Sequence, residues 1–377
     1  DPTCANGPSD ANLCGLDNPV GAPQIISEAG EFATLLARRF GDRVDEWGTV
    51  NEPVNYLLSA YGVGSFPPGK ALILSEDTFK TGFATALATY TKMHAAIYHA
   101  IKTEDTEDAD KDGSKADVGL PLSVGTWVPA RDNALSTNPD DIKARDRMEY
   151  IYNHLFVDAL RSGSLDTNFD GTPDTDIPGL EGTIDWLGVQ YYFRTGVSSQ
   201  NAVVASLGIA PCLSTFDFGA CVPPANEDTT KCVPAMKYEF YEQGLYEVLK
   251  DFSTRWKGLP LLVTESGIAT ETGRRRAEHV VRSLEQIQRA RNDGVDVRGY
   301  YHWSLYDNFE WALGYVPRFG LYSVDFTTYE RTPTEGATIY SAVAKARTIT
   351  TQQHKEFGGT GPMTPESGAT SAARCNL

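Results

Sequence analysis

Glu52 and Glu265 are the residues whose types and surroundings first suggest chemistry. Each closes a strand-like run, Val44-Asp45-Glu46-Trp47-Gly48-Thr49-Val50-Asn51-Glu52-Pro53 and Leu261-Leu262-Val263-Thr264-Glu265-Ser266-Gly267. In a parallel α/β sheet the strand ends share one rim, so two such carboxylates can face each other across a substrate. A facing carboxyl pair is the minimum apparatus for cleaving a glycosidic bond. The plainer reading of either residue is an exposed or salt-bridged acid, because a chain with 50 acidic residues puts some of them after strands by chance. A third segment narrows the choice. It runs Tyr301-His302-Trp303-Ser304-Leu305-Tyr306-Asp307-Asn308-Phe309-Glu310-Trp311, followed by Gly314-Tyr315 and Arg318-Phe319-Gly320-Leu321.

Strand and helix patterns alternate around these segments. Helices are expected over 26–40, with Phe32, Leu35 and Leu36 as the apolar stripe, and from about Ser75 through Ile101. Further helices are expected over 145–160, 238–256, 274–291 and 338–346. Met148, Ile151, Leu155 and Leu160 face inward on the 145–160 helix. Strands are expected up to Asn51 and over 118–127, 184–193, 261–264 and 297–304. Such alternation argues for a parallel sheet covered by helices.

The string Trp-Ser-Leu-x-Asp-Asn-Phe-Glu-Trp with Arg-Phe-Gly-Leu behind it resembles the family 1 glycoside hydrolases of the β-glucosidase type. Thr49-Val50-Asn51-Glu52-Pro53 resembles that family's acid/base motif, and Thr264-Glu265-Ser266-Gly267 its nucleophile motif. Asp185-Trp186-Leu187-Gly188-Val189-Gln190-Tyr191-Tyr192 resembles its Asp-Phe-Leu-Gly-x-Asn-Tyr-Tyr strand. The resemblance runs from about residue 20 to about 348. It implies a (β/α)8 TIM barrel, of which the five strands found here would be strands four to eight. The first three β/α units, with their sugar-binding Gln and His-Trp region, would lie upstream. The chain is therefore expected to be a fragment, a truncated product or one part of an assembly with a complementary N-terminal segment. Residues 1–348 would form the partial barrel and 349–377 a mostly irregular tail.

The resemblance makes Glu52 the general acid/base and Glu265 the nucleophile of a retaining β-glycosidase, acting on β-glucosides or similar β-linked oligosaccharides. Retention would set the carboxyl groups about 5–5.5 Å apart, against about 6.5–9.5 Å for inversion. Asn51 would bind the sugar's 2-hydroxyl, and Tyr192 would orient Glu265 through its phenol. Trp303 would offer a face to the sugar, Glu310 and Trp311 would bind outer hydroxyls, and Phe319 would line the entrance. Core packing is the plainer role for the three aromatics. Glu310-Trp311 resembles members that act on unphosphorylated sugars. Two positions depart from the family pattern: Ser266 stands for Asn, and Gln190 for Asn. A carbohydrate-binding relic without turnover is the competing reading, and a transglycosidase shares every residue.

The formal charge of −17 leaves no basic stripe for nucleic acid, and no run of 18 apolar residues exists to span a membrane. Cys4, Cys14, Cys212, Cys221, Cys232 and Cys375 sit in loop-like stretches without histidines at zinc spacing. Disulfides closing short loops within the clusters Cys4/Cys14 and Cys212/Cys221/Cys232 are expected. They imply an exported protein, extracellular or periplasmic. No cofactor is required. Asp108-Ala109-Asp110-Lys111-Asp112-Gly113 and Asp166-Thr167-Asn168-Phe169-Asp170-Gly171 both match the start of a calcium loop. Asp108, Asp110, Asp112, Asp166, Asn168 and Asp170 are therefore candidate ligands of a structural Ca2+. Neither loop has Glu at position twelve, where Gly119 and Ile177 stand, and a solvated acidic turn is the plainer reading.

Overall fold

The computed structural model describes residues 14–202, 207–212, 218–366 and 375. The chain divides into two compact units. One comprises Asp1–Ser123, Glu149–Gly188 and Val203–Gly208, the other Val124–Met148, Val189–Ala202 and Ile209–Leu377. Five strands carry the parallel framework: β1 (Glu46–Gly48), β2 (Asp117–Arg131), β3 (Trp186–Ser198), β4 (Leu261–Ser266) and β5 (Val297–His302). β2 and β3 run through both units.

In the first unit the order is β1-β2-β3, and β1 pairs with β2 in parallel, Trp47 opposite Val118. β2 is buried along most of its length, with Val118, Leu120 and Leu122 at most 1% exposed. That is why it reads as a near-continuous apolar run, as strands covered on both faces do. Helix α1 (Ala22–Phe40) lies on α2 (Ala84–Glu104). It does so through Ala33, which joins Tyr98, Ile101, Ala116 and Val118 in one core cluster. The expected stripe is therefore corrected: Phe32 and Leu35 are 61% and 57% exposed. Small side chains let the two helices approach, and the bulky ones point away. Helix α3 (Leu155–Ser162) follows a π-helical turn, Tyr150–His154, and the helix Pro139–Glu149, so the single helix expected over 145–160 is interrupted. Met148, Ile151, Leu155 and Leu160 are all buried as expected. Truncating a buried leucine such as Leu160 to alanine costs about 2–5 kcal/mol.

In the second unit the order is β2-β3-β4-β5, and β4 pairs with β5 in parallel. Helices α4 (Glu242–Arg255), α5 (Gly273–Asn292) and α6 (Glu335–Ala346) pack in succession, and α5 turns Ala277, Val280 and Val281 inward. Residues 238–239, expected in the α4 helix, instead form a short strand that pairs with β3. The described part of the tail beyond 348 is more regular than its composition suggests. Helix α7 (Thr351–Phe357) opens with a Thr350/Gln353 capping box, and Met363 is buried. Cys212 bonds Cys221, but Cys232 bonds Cys375 across 143 positions instead of closing a short loop. Cys14 is disulfide-bonded, while Cys4, its expected partner, lies outside the described residues. Among the described residues no helix is long and apolar enough to cross a membrane.

Two histidines couple this packing to pH. His94 in the first unit and His279 in the second are fully buried. Burial pushes His94 down to about 4 and His279 well below the usual imidazole range. Neither ring nitrogen of His279 has a hydrogen-bond partner among the described residues. The unfolded chain takes up protons near pH 6.5 while these rings stay neutral in the fold. Stability is thus complete above that pH and falls as the pH drops, by up to about 1.4 kcal/mol per pH unit for each ring. Urea midpoints at pH 7 and pH 5 should show the loss, and His279→Phe should make it shallower. Equal wild-type midpoints at the two pH values would refute the linkage.

Candidate active site

The first unit carries Asn51 and Glu52 just beyond β1. Thr49 fixes this strand end. Its hydroxyl and N–H reach the Gly119 carbonyl at 3.3 and 3.1 Å, and its oxygen lies 2.6 Å from Nδ1 of His94. Nε2 of the same ring is 2.8 Å from the Thr183 carbonyl. His94 thereby ties the strand end to the segment that enters β3. Glu52 has φ 47° and ψ 55°, a left-handed backbone that a non-glycine residue adopts only where its surroundings enforce it. The enforcement is visible: the Glu52 N–H donates to the Pro121 carbonyl, and the Glu52 carbonyl accepts from Tyr56. The half-buried carboxylate accepts from Nδ2 of Asn55 at 2.7 Å. Burial, with the Glu52 charge nearby, raises the Tyr152 hydroxyl, which is 3.0 Å from the Ser123 hydroxyl. Asn51 is exposed.

The second unit carries Glu265 on β4. The ladder between β4 and β5 slips between Val263 and Ser266, and such an irregularity re-aims the side chains beside it. The Glu265 carboxylate accepts two hydrogen bonds at 2.6 Å, one from the Tyr192 hydroxyl and one from Nε2 of Gln190. Both donors stand on β3, two positions apart on one face. Donors to both oxygens favour the charged form. Gly267 is required two residues on, because a Cβ there would lie 2.0 Å from the Trp303 carbonyl oxygen. Trp303 in turn donates its N–H to the Ser266 carbonyl.

Trp303 and Tyr192 both pack against a core cluster containing Phe319, Ile268, Phe240 and Met363. Phe319 is 2% exposed and meets Tyr192 edge to face at 6.0 Å. It therefore lines no entrance, contrary to expectation. Burial has made it the wedge behind two other site residues. Glu310 is half-buried and accepts from Trp303 and Asn308, and desolvation pushes its carboxyl up. Trp311 is 66% exposed. Sequence reasoning did not find His94, Asn55 and Tyr152, all on helical segments whose periodicity marks them only as inward or polar positions. It noted Gln190 only as a departure from the family pattern.

The two Asp-rich loops also lie in the first unit. Asp166 is 1% exposed. Its Oδ1 accepts from the N–H groups of Asn168, Phe169 and Asp170, and its Oδ2 from Gly171 and the Tyr150 hydroxyl. Asn168 and Asp170 accept in turn from Asp170 and Thr172, so this loop satisfies its carboxylates with its own donors. In the other loop Asp112 accepts from Ser114, while Asp108 and Asp110 gather with Asp45.

A strand-end glutamate held by two β3 donors thus stands with the Trp-Ser-Leu-x-Asp-Asn segment on a parallel strand framework. The chain belongs to glycosyl hydrolase family 1, whose profile matches residues 17–349. It is 34% identical over 341 residues to a β-galactosidase of Pyrococcus woesei, covering 89% of this chain and 64% of that protein. It is 33% identical to a β-galactosidase of Saccharolobus solfataricus, covering 87% of this chain and 60% of that protein. It superposes on the β-glycosidase from Pyrococcus horikoshii with a TM-score of 0.71 at 27% identity, over 90% of this chain and 69% of that one. The chain thus spans somewhat under two thirds of the length of these curated relatives.

Proposed function

We propose that this chain carries the catalytic carboxylates of a retaining β-glycosidase acting on β-glucosides, β-galactosides or similar β-linked oligosaccharides. The observation that carries the reading is the Glu265 carboxylate on β4, held by Tyr192 and Gln190. A nucleophile must stay ionised and aimed at the anomeric carbon, and two donors do both. Glu52 is the general acid/base, and the Asn55 hydrogen bond supports a fixed orientation for it. Asn51, Trp303, Glu310 and Trp311 are the sugar ligands, while Phe319 acts through Tyr192 and Trp303. In the first step Glu265 attacks the anomeric carbon as Glu52 protonates the leaving oxygen. In the second, water attacks with Glu52 as base and releases the sugar. No cofactor enters either step.

Two finer readings belong to this proposal. The five-strand order supports equating β1–β5 with strands four to eight of the family barrel. The Cys212–Cys221 and Cys232–Cys375 bonds support export to an oxidising compartment. The competing reading, a carbohydrate-binding protein without turnover, requires saturable sugar binding with no product.

Glu265→Ala should cut aryl β-glycoside turnover by at least about 1,000-fold. Azide should partly restore it and give the product of inverted configuration, because the shortened side chain admits an external nucleophile. Wild-type rates in that variant would sink the assignment. Tyr192→Phe and Gln190→Leu each remove one charge-assisted hydrogen bond, worth about 1.5–3 kcal/mol. Each should therefore lower kcat by about 10- to 100-fold and move the acidic limb of the pH profile upward. Unchanged profiles in both variants would show that these donors merely pack.

A further inference from the structure

The Asp108 loop holds an arrangement that glycoside cleavage does not use. Asp45 precedes β1, and one carboxylate oxygen each from Asp45, Asp108 and Asp110 lie within 4.8 Å of one another. Part of this cluster is ordinary loop closure. Oδ2 of Asp45 accepts from the Asp110 N–H, Oδ2 of Asp108 from the Gly113 N–H, and Oδ1 of Asp110 from the Asp112 N–H. The remainder is not. Asp45 as a whole residue is half-buried, but its side chain turns inward at the cluster, and its Oδ1 is shielded from water without a hydrogen-bond partner among the described residues. Oδ1 of Asp108 is in the same state. Among the described residues no lysine or arginine pairs with any of the three. Carboxylate oxygens shielded from water without donors, converging on a second and third carboxylate, are stabilised by a cation that neutralises them.

We propose that Asp45, Asp108 and Asp110 bind a divalent cation of the calcium type, with Asp45 supplying the carboxylate that the loop itself lacks. The choice of cation follows from the donors. All are hard carboxylate oxygens on a Gly-containing loop, which suits a flexible, oxygen-rich calcium shell better than a zinc site of nitrogen and sulfur. The sequence pattern names Asp108, Asp110 and Asp112 and misses Asp45, because the missing acidic ligand comes from another element. Asp112 stands outside the trio, its Oδ1 accepting from the Ser114 N–H. A cation here would fasten the α2–β2 loop to the start of β1, whose far end leads to Glu52.

The test uses terbium as the probe, since it replaces calcium and emits when a nearby tryptophan is excited. Trp47 lies two residues from Asp45 on β1. The chain, stripped with EDTA and dialysed, should show tryptophan-sensitised terbium emission that saturates at one ion per chain and is displaced by calcium. Asp45→Asn should weaken binding at least tenfold, whereas Asp170→Asn in the other loop should leave it unchanged. Should Asp45→Asn fail to fold, Asp110→Asn on the exposed side of the trio serves the same purpose. Absence of saturable emission in the wild type, undiminished binding in the Asp45 and Asp110 variants, or loss confined to Asp170→Asn would each overturn the proposal.

Discussion

The second unit depends on three arginines buried on one face of α5. Arg275, Arg276 and Arg282 are 1%, 2% and 4% exposed. Desolvation of a guanidinium costs several kcal/mol unless its N–H groups are met. They are met here chiefly by backbone carbonyls, most of them in loops. Arg275 donates to Thr230, Cys232 and Thr364, Arg276 to Thr270 and Arg318, and Arg282 to Phe357, Gly361 and Pro362. Burial lowers Arg276 to about 10, which still leaves it charged at neutral pH. The planar fork of donors suits this work, because one side chain can fix two loops at once. Two of those loops matter to the site. Thr270 lies five residues past Glu265, and Arg318 precedes the Phe319 wedge behind Tyr192 and Trp303.

The first unit solves the same problem with fewer charges. His94, Asp105 and Asp185 play the part of the arginines. Asp185 accepts from the Val118 N–H, the Tyr98 hydroxyl and Lys102, and Asp105 accepts from the Trp47 indole. These bonds join β1, β2 and α2 at the level where the chain leaves for Glu52. Because His94 is held neutral by burial, it can bridge Thr49 and Thr183 without carrying a charge into the core. In each unit the glutamate sits at a strand end, while side chains from other elements decide how that end is held.

Elements whose signal is local matched their sequence patterns. β2, β3, β4 and β5 were legible as apolar runs bounded by turn residues, and α5 as a 3.6-residue pattern. Departures arose where a partner overrode the local signal. Phe32 and Leu35 form the most apolar stripe on α1, yet Ala33 faces the core because α2 presents bulky Tyr98 and Ile101 there. The tail looks irregular because Gly, Thr, Ser and Pro have no period. Its described residues are nevertheless tied down where Arg275, Arg282 and Glu278 satisfy its backbone. Cys232 lies nearer in sequence to Cys221 than to Cys375, but sequence distance does not decide which sulfurs meet.

By itself the sequence determined the two strand-end glutamates, the Trp303 to Leu321 segment and membership of one enzyme family. Each of these is a contiguous string whose residue types carry the chemistry. Only the tertiary structure decided what surrounds them. Gln190 and Tyr192 reach Glu265 from another strand, Phe319 withdraws into the core, and His94 holds the strand end that leads to Glu52. Asp45 turns toward Asp108 and Asp110 from outside their loop. The physical reason is common to all four. Hydrogen bonds, burial and charge act through distances of a few ångströms, and residues far apart along the chain come within that range only when it folds.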